Sequence, residues 1–326
     1  MISRTQNEIM KNWPAEWNSP VVSIRCITYN HEPYIAEALD GFLMQETDFP
    51  FEIVVHDDAS TDNTANIIRE YEAKYPKIIK PIYETENQYS KHDGSLRKIM
   101  NAACKGKYTA YCEGDDFWIF PKKLQTQIEF LEKNKKYTMT YSSFSTVNEY
   151  GNIIERPSYE KKIKDSQSGF LFSKLINHNF IMTLTICIRK EILESPIYIE
   201  APYHIDYTIF LTAALLGKIK FFPQKMGAYR QSPTGLMATQ GNKINFIIKQ
   251  TKVYFTQNYF FSKPNKFPFV ERLSILYQTA LNILTDRQNK ETYIRILKRN
   301  KKILFFMPFA FIHKIVQKIS MLFFHK

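Results

Sequence analysis

The sequence predicts an α/β protein: a doubly wound, mostly parallel central sheet, followed by a C-terminal helical region. Three observations predict it. Short β-branched runs alternate with stretches of helical spacing over the first 120 residues. The polar, chemistry-bearing residues fall after these runs, where such sheets bind ligands, and not within them. From about Ile244 the strand signals stop and the chain turns helical and aromatic. With 326 residues, 44% of them hydrophobic and 15% aromatic, the chain has enough apolar side chain for a packed core. The expected divisions are 1–120, 121–240 and 241–326.

The elements follow in order. Val21–Thr28 is a β-branched run that reads as a strand buried on both faces. Pro33 opens a helix whose apolar face is Ile35, Ala38, Leu39, Phe42 and Leu43. Phe51–His56 is a second strand, with His56 read as a packed residue. Ser60 or Thr61 caps a helix running through Ile67, Ile68 and Tyr71 and ending before Pro76. Ile78–Tyr83 is a third strand, Leu96–Cys104 a third helix and Tyr108–Cys112 a fourth strand. Alternation of this kind implies parallel strands joined by right-handed crossovers. Beyond Pro121 the pattern changes. Leu124–Leu131 is a helix, Thr138–Val147 alternates as an antiparallel strand does, and Asn148–Ser168 is polar loop. Met182–Arg189 is a further strand, and Ile209–Leu216 a helix closed by Gly217.

Composition narrows the function. The four cysteines, Cys26, Cys104, Cys112 and Cys187, form no Cys-x-x-Cys pair and no His-paired zinc spacing, so they read as buried thiols in a reducing compartment. The N-terminal stretch carries no apolar run, so neither a signal peptide nor an N-terminal anchor is expected. The net charge of +12 is concentrated at one end. Residues 287–326 hold ten lysines and arginines against one acid, Glu291, while the other 286 residues hold 34 against 31. A nucleic-acid binder spreads its positive footprint over a folded surface, so no nucleic-acid partner is expected. The same tail holds ten apolar residues from Ile303 to Ile312, broken by Pro308, and a second group from Ile315 to Phe324. His313, Lys314 and Lys318 interrupt it, so it is too short to span a bilayer and suits the membrane interface beside anionic headgroups. The alternative is a helix packed on the body with its lysines in water.

The sharpest signal is Tyr111-Cys-Glu-Gly-Asp-Asp-Phe-Trp118, which sets Glu113, Asp115 and Asp116 at the end of the fourth strand. Such a cluster is tolerable when a cation sits among its members, and hard carboxylate oxygens suit Mg²⁺ or Mn²⁺. Two further polar groups fall at strand ends: Thr28-Tyr-Asn-His31 after the first strand and Asp57-Asp58 after the second. Three strand ends thus converge on one crevice. No glycine occurs between the first strand and Gly41, so a dinucleotide fingerprint or P-loop fails on steric grounds. A metal on Asp115 and Asp116 can hold phosphates instead. Tyr29 can stack on a base, and Asp58 can accept an N–H from a pyrimidine edge.

In combination, Val-Ser-Ile-x-Cys-Ile-Thr-Tyr-Asn-His-Glu, Ile-Val-Val-His-Asp-Asp-Ala-Ser-Thr-Asp-Asn-Thr and Tyr-Cys-Glu-Gly-Asp-Asp-Phe-Trp resemble the family 2 glycosyltransferases of the GT-A fold, over roughly Pro20 to Arg230. The resemblance implies a nucleotide-sugar-binding half in 1–120 and an acceptor half in 121–240. It implies that Thr28, Tyr29 and Asn30 line the nucleoside pocket and that Asp58 meets a uracil-like base. Asp115 would lie near the ribose and metal, and Asp116 would bind the divalent cation bridging the diphosphate. Glu113 stands where many relatives have the first aspartate of an Asp-x-Asp motif, a longer side chain placed behind the ligands. An acid just before the helix at Ile209 serves the family as general base, and here that is Asp206. Its position also permits a helix cap. His204 is read as a structural hydrogen-bonder. Arg230 either reaches the diphosphate or pairs with a local acid, and Ser232 stands where relatives often carry a histidine.

The expected activity is metal-dependent, inverting transfer of a sugar from a nucleotide diphosphate, UDP by preference, to a glycan or lipid-linked acceptor. The resemblance places it in bacterial surface-polysaccharide assembly on the cytoplasmic face of the membrane, with peripheral contact through 303–324. A sugar-phosphate nucleotidyltransferase, a non-catalytic nucleotide-sugar-binding scaffold and a glycoside hydrolase are the rival readings. The first lacks its glycine-rich loop here, the second keeps an acid set it does not need, and the third needs two carboxylates flanking the bond and no nucleotide pocket.

Overall fold

The chain enters through α1 (Gln6–Met10), whose start is fixed by a capping box: the Glu8 N–H donates to Thr5 Oγ1 and the Thr5 N–H to Glu8 Oε2. The computed structural model describes residues 4–91, 93–176, 179–201 and 205–231. Expectations for the region from Ile244 onward, for 303–324, for His204 and for Ser232 therefore lie outside the described residues. The first compact unit runs from Met1 to Thr239.

The alternating pattern holds through β1 (Val22–Thr28), α2 (Ile35–Leu43), β2 (Phe51–Asp57), α3 (Thr64–Lys74), β3 (Ile79–Tyr83), α4 (Ser95–Ala103) and β4 (Tyr108–Tyr111). β1 pairs in parallel with β2 and with β4, and β2 in parallel with β3. Every residue of β2 is buried, which fits its central Ile53-Val-Val55 run, apolar toward both faces and not alternating. Then come β5 (Phe117–Trp118), α5 (Lys123–Lys133) and β6 (Tyr137–Asn148), followed by α6 (Pro157–Asp165), α7 (Phe172–Leu175) and β7 (Cys187–Arg189). The described part ends with α8 (Glu191–Glu194), α9 (Pro196–Ile199), α10 (Asp206–Leu216) and β8 (Lys218–Gln231).

The sheet order is β3-β2-β1-β4-β7-β6-β8-β5. Its first four strands are parallel, β7 is antiparallel to both β4 and β6, β6 and β8 are parallel, and β5 is antiparallel to β8. The architecture is thus a mixed α/β sheet flanked by helices, with the doubly wound half first.

The second half departs from the sequence expectations in several places. α6 lies within the stretch read as loop. Pro157 starts it, and Lys161 and Asp165 pair one turn apart at 2.9 Å. Only the last three residues of Met182–Arg189 form a strand, because Thr183–Thr185 is a 3₁₀ turn. β6 is buried over ten consecutive residues, since α5, α6 and α10 pack against it while β7 and β8 pair along its edges.

Candidate active site

Because β1, β2 and β4 are parallel, the loops leaving their carboxyl ends share one edge of the sheet. In the first loop Thr28 is buried, Tyr29 is 45% exposed, and Asn30 has φ 53°, a left-handed conformation that asparagine tolerates. The Asn30 N–H donates to Ser60 Oγ at 2.9 Å, and Asn30 Oδ1 accepts the Thr61 N–H at 2.8 Å. Ser60 and Thr61 therefore latch this loop to the next one and do not cap α3. The start of that helix is held by Asp62, whose Oδ1 accepts the Thr64 N–H at 3.0 Å.

In the second loop both Asp57 and Asp58 are buried. Asp58 Oδ1 accepts the Gln88 N–H at 2.7 Å and Oδ2 the Tyr89 N–H at 3.0 Å, so this carboxylate shapes the loop after β3. Ala59 sits at φ 63°, which costs an L-residue roughly 1–2 kcal/mol and is the kind of strain that collects at functional sites. His56, read as packed, is fully buried with Nε2 3.3 Å from Glu84 Oε1.

The third loop presses against the first at Gly114, whose N–H donates to Ile27 O at 3.0 Å. A Cβ there would lie 2.7 Å from Thr28 Oγ1 and 3.1 Å from His31 Nδ1, so glycine is required. This approach brings Asp115 to 4.0 Å from His31 Nε2. Three buried polar atoms at the edge, Thr28 Oγ1, His31 Nδ1 and Asp57 Oδ1, have no protein partner. Buried polar atoms are nearly always paired, so a group of them at one sheet edge fits a polar ligand.

Asp116 is 7% exposed. Burial, and then the Asp115 charge, push its carboxyl well above the usual range, opposed by the Arg230 N–H 2.8 Å from Oδ1. Glu113 turns toward β1, with Oε2 accepting the Ile27 N–H at 3.0 Å. Burial pushes its carboxyl up to about 8, against the pull of the Arg25 guanidinium and with Asp206 and Asp115 adding to the rise.

No group of three or more histidine, cysteine, aspartate or glutamate side chains among the described residues is arranged to hold a metal by itself. A cation of the Mg²⁺ type asks for less, one or two carboxylates completed by substrate phosphates and water. The adjacent Asp115 and Asp116, the second of them buried and the first partly open, fit that requirement.

Arg230 is 4% exposed. Its Nε donates to Asp115 O at 2.8 Å, Nη1 to Glu149 O at 2.9 Å and Asn148 O at 3.3 Å, and Nη2 to the Glu37 carboxylate. Its plane lies 4.7 Å from the Tyr34 ring centroid and 5.2 Å from that of Phe117. It braces the acid loop to α2 and to the turn after β6.

Asp206 is the first residue of α10 and exposed; Ile205 is the N-cap, and its side chain makes no capping bond. Asp206 Oδ2 accepts from Thr183 Oγ1 at 2.6 Å. Its charge acts on Glu113, Tyr111 and Tyr198, so it lies within electrostatic reach of the acid loop. Sequence reasoning missed Thr183 and Glu37, whose roles come from contacts across the fold. His31 was visible in the first-strand motif but was given no role.

A family profile described as "Glycosyl transferase family 2" matches residues 23–195. An uncharacterized protein of Mycobacterium tuberculosis is 35% identical over 225 residues, covering 66% of this chain and 60% of the relative. The chain thus spans about three fifths of the length of that relative. An uncharacterized glycosyltransferase of Methanocaldococcus jannaschii is 27% identical over 291 residues, covering 86% of this chain and 97% of the relative. Among solved structures, the Pyrobaculum calidifontis mannosyltransferase PcManGT in complex with GDP-Man and Mn²⁺ aligns with TM-score 0.54 at 16% identity, over 94% of this chain and 81% of that one. Staphylococcus aureus TarS 1–349 in complex with UDP-GlcNAc aligns with TM-score 0.52 at 19% identity, over 85% and 70%. Both likenesses concern the fold.

Proposed function

The chain belongs to glycosyl transferase family 2, and from that premise we propose that it transfers a sugar, with inversion, from a nucleotide diphosphate to a glycan or lipid-linked acceptor. The observation that carries this reading is the convergence of the Thr28–His31, Asp57–Asp58 and Glu113–Asp116 loops at one sheet edge, with unpaired polar atoms among them. Thr28, Tyr29 and Asn30 would line the nucleoside, with the exposed Tyr29 ring available for stacking on the base. Asp58 would face the base from the loop that it holds in shape. UDP is the preferred donor nucleotide, in keeping with the exposed Tyr29 ring available for stacking and with a UDP-sugar complex of a similarly folded protein.

Asp115 and Asp116 would hold a divalent cation, Mn²⁺ or Mg²⁺, which supplies charge neutralisation for a departing diphosphate. Glu113, in the same loop and tied to β1 at Ile27, backs that pair, and Arg230 holds the pair in place from behind. Asp206 takes the proton from the acceptor hydroxyl as that oxygen attacks the anomeric carbon. The transferred unit is a hexose or N-acetylhexosamine. Incubation with UDP- and GDP-linked hexoses and N-acetylhexosamines tests the reaction class. Release of nucleoside diphosphate is expected, and pyrophosphate made from a nucleoside triphosphate and a sugar phosphate would instead identify a nucleotidyltransferase.

We also place the protein in surface-polysaccharide synthesis, cytoplasmic and peripheral on the inner face of the membrane through 303–324. No helix among the described residues is long and apolar enough to cross a membrane, and the basic, apolar composition of the tail supports interfacial contact. Truncation before Ile303 is expected to release the protein from anionic liposomes while residues 1–239 keep their melting temperature. Undiminished liposome binding would remove the tail from this role.

A further inference from the structure

We propose that Thr183 is a positioning residue for Asp206, and that the metal-binding loop itself holds Thr183 in place through Trp118. The proposal rests on the reading of Asp206 as the base. Asp206 is exposed, at the first position of α10. A carboxylate so placed has several rotamers open to it, and only some direct an oxygen toward an acceptor. Thr183 Oγ1, donating to Oδ2 at 2.6 Å, selects among them and leaves Oδ1 for the incoming proton. A hydroxyl-to-carboxylate bond of this kind is charge-assisted and short. The β-branched threonine also keeps its hydroxyl in a narrower range of χ1 than serine does.

The donor would be of little use on a mobile segment, and this one is tied down from behind. Thr183–Thr185 is a 3₁₀ turn closed by Thr185 Oγ1 donating to Met182 O at 2.6 Å. Leu184 O accepts from Trp118 Nε1 at 2.9 Å, and Thr185 O from Gln127 Nε2 at 2.9 Å. Gln127 is in turn fixed by Lys123, whose Nζ donates to Gln127 Oε1 at 2.6 Å and lies 4.4 Å from the Trp118 ring centroid. Trp118 is 1% exposed and meets Phe42 edge-on at 5.0 Å. Its backbone lies so close to α2 that a Cβ on Gly41 would stand 2.9 Å from both its N and its O.

Trp118 follows Asp116 by two residues. A continuous set of contacts therefore runs from the metal-binding acids through the indole to the 3₁₀ turn and on to the base. The arrangement fixes the carboxylate that removes the proton relative to the carboxylates that hold the donor diphosphate. It also gives the Trp of the Asp-Asp-Phe-Trp motif a task beyond filling the core.

The test compares Thr183→Val, Thr183→Ser and Asp206→Asn in the full chain. The probe is whichever UDP- or GDP-linked sugar the wild type turns over fastest in Mn²⁺. Removing one charge-assisted hydrogen bond should lower kcat by roughly 10- to 100-fold in Thr183→Val, with donor KM and melting temperature unchanged. Thr183→Ser should recover most of that loss, which a purely structural role would not require. Should the valine variant melt early, Thr183→Ala replaces it and carries the same expectation. Wild-type kcat in Thr183→Val beside an inactive Asp206→Asn would overturn the role of Thr183 and leave the base in place. Wild-type turnover in Asp206→Asn would overturn both.

Discussion

Asp116→Asn is expected to remove the dependence of nucleoside diphosphate binding on divalent cation, and to do so without unfolding the chain. Asparagine keeps an oxygen for the Arg230 N–H, now at 2.8 Å from Asp116 Oδ1, so the brace to β8 survives. What it removes is the anionic charge, and hard cations are held by charge and oxygen count. Loss of an outer-shell partner costs about 10- to 100-fold in metal affinity, and loss of a ligand should cost no less. Asp116→Ala should lose the same affinity and also lower the melting temperature, because it leaves a buried N–H unpaired. The pair of variants separates the two tasks of this side chain. UDP affinity in Mn²⁺ equal to wild type in Asp116→Asn would remove the carboxylate from the donor site.

Asp206→Asn should fail in the opposite way. Donor affinity stays, because Asp206 belongs to α10 and not to the loops after β1, β2 and β4. Turnover falls by about 10²–10⁴-fold, the usual contribution of a positioned general base. The geometry should persist, since the amide oxygen can accept from Thr183 Oγ1 as the carboxylate does now. Equilibrium dialysis against UDP and a steady-state assay on the same preparation measure both halves of this expectation. A variant that binds UDP and turns over as wild type would place the base elsewhere.

The first half of the fold was legible because its strands announce themselves locally. Phe51–Asp57 is buried throughout, and its Ile53-Val-Val55 centre is the β-branched run expected of a strand covered on both faces. β8 gave no such signal. Lys218, Lys220, Pro223, Gln224 and Lys225 break any strand pattern, and the strand exists because β6 lies beside it in parallel from Tyr137 to Asn148. Its register shifts near Ser142 and Ser143, opposite the Pro223–Gln224 stretch. The 3₁₀ turn at Thr183–Thr185 was hidden for the same reason: Trp118 and Gln127, 66 and 58 residues away, take up its carbonyls.

The site divides along the same line. The acid pair, Asp58 and the Tyr29–Asn30 loop could be read because each lies just beyond a recognisable strand. The Arg230 brace could not, since Asp116, whose carboxylate accepts the Arg230 N–H, is 114 residues distant. Nor could Thr183, which sat inside a stretch that reads as plain strand.

Everything in the proposed reaction depends on the strand-end crevice holding a diphosphate through a cation on Asp115 and Asp116. Calorimetric titration of UDP into the wild-type chain, once with Mn²⁺ and once with EDTA, tests this most directly. Saturable binding in Mn²⁺ that disappears in EDTA is the expected result; equal affinity in both would contradict the account.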